Sequence, residues 1–251
     1  MTINVNSTLN EVRARFGLII PSSNRMAEPH AWRYTPPDVM PHVARLRMTG
    51  PYFMELKNLL PKVERAAETL ADAKCDPIVF HCTANSMADG LAGEEKISAA
   101  IKNSTGSKAI TTASATLEAF KYLNVSRIVL ISPYTRPSHE HELNFLNEAG
   151  FDIVGERNLN LSGSDEYCTY PVKNWISEVT KMKNDEAEAY FISCANIRAI
   201  EGIEKLESIL ERPVVTSNQL VIWKALRSAG INDSLPGLGR LKNLDLSNKS
   251  F

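Results

Sequence analysis

Cys82 and Cys194 each close an apolar run, Ile78-Val79-Phe80-His81-Cys82 and Tyr190-Phe191-Ile192-Ser193-Cys194, and each is followed by small polar residues, Thr83-Ala84-Asn85 and Ala195-Asn196. A thiol can act as nucleophile or as acid/base, and only its thiolate form attacks or accepts a proton. A single cysteine at a strand end is most often just a small hydrophobe. Two in matching settings carry more weight. They stand 112 residues apart, and the same offset relates Arg15 to Arg127 and Pro21 to Pro133. An offset held over several strand ends marks a duplicated unit, so the two thiols occupy equivalent places in two similar halves. If the halves face each other, one sulfur stands on either side of a bound small molecule. That arrangement can attack or deprotonate a planar carbon without a cofactor.

Apolar runs alternate with helical patterns around these points. Residues 15–20 read as a strand. Residues 53–73 read as a helix, with Leu56, Leu59, Leu60, Val63, Ala66, Ala67 and Leu70 at helical spacing. A strand over 78–81, a helix over 93–104, a short strand over 108–111 and a helix over 114–123 complete the first half. The second repeats the order: strand 127–131, helix 139–149, strand 151–154, helix 172–182, strand 189–193, helix 200–210, strand 213–216 and helix 219–229. The closing pieces match at an offset of 106, from Ala119 to Ala225, which implies a six-residue shortening between Cys194 and Ser217. Strands that alternate with helices form parallel sheets, with functional loops at the carboxyl ends of the strands. Pro21, Cys82, Thr111, Pro133, Cys194 and Thr216 all fall at such ends. The expected architecture is α/β: two pseudo-symmetric domains, each a short parallel sheet flanked by helices, with the active site at their interface. The first spans 1–112, completed by 226–251; the second spans 113–225.

The loops suggest how a small acid would be held. Ser22 and Asn24 in Pro21-Ser22-Ser23-Asn24, and Tyr134 and Thr135 after Pro133, place hydrogen-bonding groups at matching strand ends. Thr83, Ala84, Asn85, Ala195 and Asn196 follow the two cysteines where helix starts would present backbone N–H groups to a carboxylate; Asn85 and Asn196 read equally well as helix caps. His81 points away from its neighbouring thiol in an extended segment and reads as a packed histidine. His139 and His141 read as solvated, Arg45 and Arg47 as the outer face of an edge strand, and Arg198 as an anion partner or a surface charge. Trp32, Trp175 and Trp223 read as packing residues.

Composition narrows the partners. The 251 residues are 43% hydrophobic, and 28 Lys and Arg against 29 Asp and Glu give a formal net charge of −1. Without a basic cluster there is no electrostatic basis for binding nucleic acid or a membrane surface. No apolar run approaches the roughly 20 residues of a spanning helix. The first dozen residues lack the apolar centre of a secretory signal, so a cytoplasmic protein with reduced thiols is expected. Cys75, Cys82, Cys168 and Cys194 contain no C-x-x-C pair, and no metal is expected. Cys75 reads as structural and Cys168 as an exposed thiol in a polar loop.

The motifs Gly17-Leu18-Ile19-Ile20-Pro21-Ser22-Ser23-Asn24, Cys82-Thr83, Ser132-Pro133-Tyr134-Thr135, Ser193-Cys194-Ala195-Asn196-Ile197-Arg198 and Pro213-Val214-Val215-Thr216-Ser217-Asn218-Gln219 span nearly the whole chain. In this order they resemble the aspartate/glutamate racemase superfamily, and within it the maleate cis-trans isomerase and arylmalonate decarboxylase branch. The resemblance implies a cofactor-free site between two α/β domains, a small carboxylic-acid substrate and a homo-oligomer. It implies both cysteines in the isomerases and only the second in the decarboxylases, so Cys82 argues for isomerase chemistry. Where the isomerases read Cys-Thr-Ser-Gly-Ser this chain has Cys82-Thr83-Ala84-Asn85-Ser86, and Ala195 stands where they carry threonine. The family's substrate-binding asparagine in a mobile loop has no counterpart in 161–166, an acidic stretch that disfavours a dianion beside it.

Two reactions fit these residues. In cis-trans isomerisation of an unsaturated dicarboxylate, Cys82 adds to the alkene and Cys194 serves as acid/base. In racemisation or epimerisation of an amino or hydroxy acid, one thiolate removes an α-proton and the other thiol returns one from the opposite face. A decarboxylase and a non-catalytic two-lobed acid-binding protein are the remaining alternatives.

Overall fold

The computed structural model describes residues 12–48 and 54–243. Phe53, the first residue of the helix expected over 53–73, lies outside them, as do the outer ends of the expected first domain. In the first half, β1 (Ala14–Pro21), β2 (Val39–Leu46), β3 (Ile78–Phe80) and β4 (Ala109–Thr111) pair in parallel in the order β2-β1-β3-β4. In the second, β5 (Arg127–Ser132), β6 (Asp152–Asn158), β7 (Ala189–Ile192) and β8 (Val214–Thr216) repeat it as β6-β5-β7-β8. Both cysteine strands therefore take the same place, beside the first strand of their sheet.

Alternation along the strands feeds three hydrophobic cores. Phe16, Leu18 and Ile20 of β1 point into the space between the sheets and Ile19 points outward. The outer face of the first sheet is covered by α2 (Leu56–Asp72) and α4 (Gly90–Thr105) through Leu59, Val63, Ala67, Leu70, Ile97 and Ile101. Gly17 lets α2 approach closely, since a Cβ there would meet Leu70 Cδ1 at 2.9 Å. The outer face of the second sheet carries α8 (Val172–Lys181) and α9 (Ile203–Leu210), which pack Trp175, Val179, Leu206 and Leu210 against Val129, Ile131 and Tyr190.

Between the sheets lie α5 (Thr112–Leu123) and α10 (Ser217–Ser228), which pack on each other. Phe120 of α5 meets Phe151 and Phe191 of the second half edge-on. α10 packs against β3, β4 and α1 (Ala27–Tyr34) of the first as well as against β8 of its own half. Both inner helices start with a capping box, Thr111 with Ser114 and Thr216 with Gln219. Their caps fix the closing offset at 105, one less than the 106 read from the sequence, because side-chain similarity at Ala119 and Ala225 is a looser register mark than a cap.

The remaining helices are α3 (Thr83–Met87), α6 (Arg136–Glu148) and α7 (Ser164–Thr169). The sequence patterns do not show α7, six residues long and too short for a periodic signal, whereas the five-residue α3 is the helix start expected after Cys82. α1 is obscured by Pro29, which is tolerated in a first turn where the backbone N–H has no intrahelical partner. α6 starts three residues earlier than expected, with Pro137 in its first turn. β6 runs on to Asn158 because an edge strand bears polar residues on its solvent side.

The cap at Thr216 gives a direct stability test. Thr216→Ala removes the acceptor for the Gln219 N–H and should cost about 1 kcal/mol, lowering the midpoint of thermal unfolding by about 2–4 °C. An unchanged midpoint would show that the box does not anchor α10.

Candidate active site

Because both sheets are parallel, their carboxyl edges collect the loops that carry the chemistry-bearing residues. The loops after β1, β3, β5 and β7 converge on one open cavity. The first half supplies Ser23, Asn24, Met48 and the run from Cys82 to Asn85; the second supplies Tyr134, Ser138, Ser164, Tyr167 and the run from Cys194 to Asn196. Both thiols line this one space. Cys82 is half-buried, reached by solvent through the cavity, whereas Cys194 is 4% exposed.

The two cysteine loops are built differently. Cys82 has an extended backbone and directly precedes α3, while Cys194 holds φ at 106° and is followed by a turn rather than a helix. A side-chain-bearing residue at that φ is strained and persists only where its surroundings hold it. The hold is Ser217, whose hydroxyl accepts from Cys194 N–H at 3.1 Å and from the Thr83 hydroxyl at 2.9 Å. Hence the expected helix start after Cys194 is not there. A local donor takes its place: Asn196 N–H reaches Cys194 Sγ at 3.3 Å. The Tyr134 hydroxyl favours the thiolate of the same sulfur and the Asn85 backbone that of Cys82, whose thiol donates to Asn85 Oδ1 at 3.9 Å.

His81 anchors the Cys82 loop from behind. Asn218 Oδ1 can only accept, so His81 Nε2 donates to it at 2.7 Å and Nδ1 takes the Thr112 hydroxyl at 2.9 Å. Asn218 Nδ2 then donates to His30 Nδ1 at 2.8 Å. Burial pushes the His81 imidazole down to about 4, which keeps it neutral. His139 is fully buried, not solvated: Ser132 lies 2.7 Å from Nδ1 and Glu156 2.9 Å from Nε2. The Ser132 hydroxyl also accepts from Tyr134 N–H at 3.4 Å, which ties this buried chain to the loop that carries the phenol.

The asparagines expected to contact substrate knit the loops together. Asn24 accepts from Met26 and Ala27 N–H and donates to Ala195 O at 3.0 Å, joining the two halves. Asn196 accepts from Arg25 N–H at 2.8 Å and donates to Ser164 O at 3.1 Å. Asn85 donates to Met54 O at 3.0 Å rather than capping a helix. Ser22 is not among the lining residues; its hydroxyl exchanges hydrogen bonds with the backbone of Met48. Thr135 is also outside the lining and forms the N-cap position of α6 without a side-chain cap bond. Arg198 pairs with Glu201 and Arg45 with Glu28, so neither cation faces the cavity.

Ser23, Met48, Ser138, Ser164 and Tyr167 line the cavity without having been singled out in the sequence. Tyr167 is the most informative of them. Its ring stacks edge-on with Tyr134 at 5.7 Å, and its hydroxyl is buried without a partner among the described residues. It rides on α7, whose acidic residues turn away: Asp165 is 97% exposed and paired with Arg25, and Glu166 accepts from Ser162. The negative charge expected beside the substrate is thus on the outside.

Burial dominates the electrostatics of the sulfurs. It pushes Cys82 up to about 11 and Cys194 up to about 12, against the donors on each. Among the described residues no Lys or Arg lines the cavity, and no group of His, Cys, Asp or Glu is arranged to hold a metal ion.

Residues 16–242 match the family model described as arylmalonate decarboxylase. The chain belongs to that family. Among its relatives, the maleate isomerase of Geobacillus stearothermophilus is 25% identical over 241 residues, covering 90% of this chain and 96% of that one. The maleate isomerase of Nocardia farcinica is 27% identical over 241 residues, covering 92% and 96%. The structure of a cysteine-to-serine variant of the Nocardia farcinica maleate cis-trans isomerase, with a covalently bound succinylcysteine intermediate, matches with a TM-score of 0.85 at 25% identity, over 92% of this chain and 99% of that one. This is the branch that the strand-end motifs resemble, and its two-sheet α/β architecture is the one found here.

The hydrogen bond from Tyr134 to Cys194 can be tested on the protein alone. Tyr134→Phe removes a donor that favours the thiolate, a loss of about 1.5–3 kcal/mol for a charged acceptor. Alkylation of Cys194 by iodoacetamide at pH 8, followed by peptide mass spectrometry, should slow about tenfold or more. An equal or faster rate would show that the phenol does not support the thiolate.

Proposed function

We propose that this protein is a cofactor-independent isomerase that interconverts cis and trans unsaturated dicarboxylic acids, with maleate as the first substrate to test, and that Cys82 and Cys194 do the chemistry. The observation that carries the reading is the placement of both thiols on one cavity at the junction of the two halves. The maleate isomerases among its relatives, and the succinylcysteine in one of them, support the same chemistry.

In this reading Cys82 is the nucleophile. It faces the cavity and is the more exposed of the two thiols. Its thiolate adds to one alkene carbon: a C–S bond forms and the π pair moves to the adjacent carbon, delocalised into the carboxylate as an enediolate. The former double bond is then single and rotates. Collapse of the enediolate re-forms the alkene and expels the thiolate. Cys194, held protonated on the other side, gives its proton to the carbon that gains charge, so that rotation occurs in the saturated adduct, and its thiolate takes a proton back from that carbon to regenerate the enediolate before the alkene re-forms.

Neutral donors hold the carboxylates. The Thr83 hydroxyl is occupied by Ser217, so Thr83 and Ala84 offer backbone, as does Ala195; Ser138 and the unpartnered Tyr167 hydroxyl offer side chains. Donors placed where charge develops are worth about 3 kcal/mol each in such sites. Of the residues expected to bind substrate, Asn24, Asn85 and Asn196 keep the loops in place, while Tyr134 acts through Cys194.

The test is a turnover screen in deuterated water with maleate, substituted malonates and chiral amino and hydroxy acids. Conversion of maleate to the trans acid, with Cys82→Ser and Cys194→Ser each lowering kcat by about a thousandfold or more, is the expected result. Deuterium entering the α-position of a chiral acid, without alkene isomerisation, would assign the pair to racemisation instead. Full activity in either serine variant would refute the paired-thiol chemistry.

A further inference from the structure

A carboxyl group lies beneath the cavity with no basic partner. Glu142, near the middle of α6, is completely buried. Its Oε1 accepts from the Ser193 hydroxyl and its Oε2 has no hydrogen-bond partner among the described residues. Ser193 directly precedes Cys194, and Ser138, one turn earlier on the same helix, lines the cavity. The groups that respond to its charge are those of the site: the thiols of Cys82 and Cys194 and the phenols of Tyr134 and Tyr167. Charged residues on neighbouring elements are engaged elsewhere. Glu156 of β6 pairs with Arg136 and His139, Glu94 of α4 takes the hydroxyls of Ser98 and Thr111, and Glu148 takes Leu91 N–H.

A buried carboxylate without a cation is costly, so a carboxyl in this position favours its neutral form. We propose that Glu142 is a positioning residue that works as a neutral acid, bracing the Cys194 turn through Ser193 while leaving the cavity floor uncharged for an anionic substrate. Ionised, it places a negative charge beneath both sulfurs, opposing the enediolate and repelling the acid. The inference rests on the paired-thiol reading and extends it: the site needs a proton on Glu142 as well as a thiolate on Cys82.

The signs give opposite limbs. Thiolate formation raises activity with pH, whereas loss of the Glu142 proton, which burial holds up to about 8, lowers it. Glu142→Gln keeps an acceptor for Ser193 and cannot ionise. Whatever its activity at pH 6, the ratio of its kcat/KM for maleate to that of the wild type should climb about tenfold per pH unit above about 8. Calorimetry with succinate, a saturated diacid that cannot isomerise, gives a readout independent of turnover. Run in buffers of different ionisation heat, it should show the wild type taking up about one proton per succinate at pH 9 and none at pH 6, and the variant taking up none at either.

Parallel pH profiles for the two proteins would overturn the role of Glu142 while leaving the isomerase reading intact. If the variant does not fold, wild-type proton uptake still decides, and uptake that does not change between pH 6 and pH 9 overturns the inference. Absence of maleate turnover in the wild type would sink the isomerase reading, and the succinate measurement then judges Glu142 alone. A protein that binds no diacid at any pH overturns both.

Discussion

One buried hydroxyl couples the two halves of the site. Ser217 receives the Cys194 N–H from one loop and the Thr83 hydroxyl from the other, at the first residue of a helix capped by Thr216. The residue just past the last strand thus fixes both cysteine loops at once, and it holds Cys194 in a backbone conformation that a residue with a side chain adopts only under constraint. The exchange of inner helices serves the same end. α10 packs on β8 of the second sheet and on β3 and β4 of the first, so the Ser217 bridge stands on an element belonging structurally to both.

The cavity balances two demands. An anionic substrate needs donors, and a reactive thiol must be able to lose its proton in a space where burial disfavours every charge. Among the described residues local donors meet both without a cation: Asn196 N–H and the Tyr134 hydroxyl on Cys194, the Asn85 backbone on Cys82, and an unpartnered phenol at Tyr167. They only partly offset burial, since both thiols remain above their ordinary range. A negative charge on Glu142 is among the causes that raise them, which is why the state of that carboxyl matters to sulfur chemistry it never touches.

Much of this was legible in the residues. Repeats at strand ends are written in a few small or apolar positions under tight packing constraint, so the two sheets, their parallel order and the matched thiols could be read from Pro21, Pro133, Cys82 and Cys194. The asparagines were harder, because an amide at a loop looks the same whether it meets a ligand or a carbonyl from another loop. Only tertiary structure shows Asn24 reaching Ala195, 171 residues away in sequence. Tyr167 and Glu142 gave no signal for a different reason. One sits on a helix too short to show periodicity, and the other occupies a helix position where a glutamate is ordinarily solvated.

The most direct test of the central claim is a crystal structure of the wild-type protein with succinate bound, its sulfur atoms located by anomalous scattering. The account predicts one diacid in the cavity between the halves, with the sulfurs of Cys82 and Cys194 against opposite faces of its two central carbons. A diacid bound elsewhere, or both sulfurs on the same face, would contradict it.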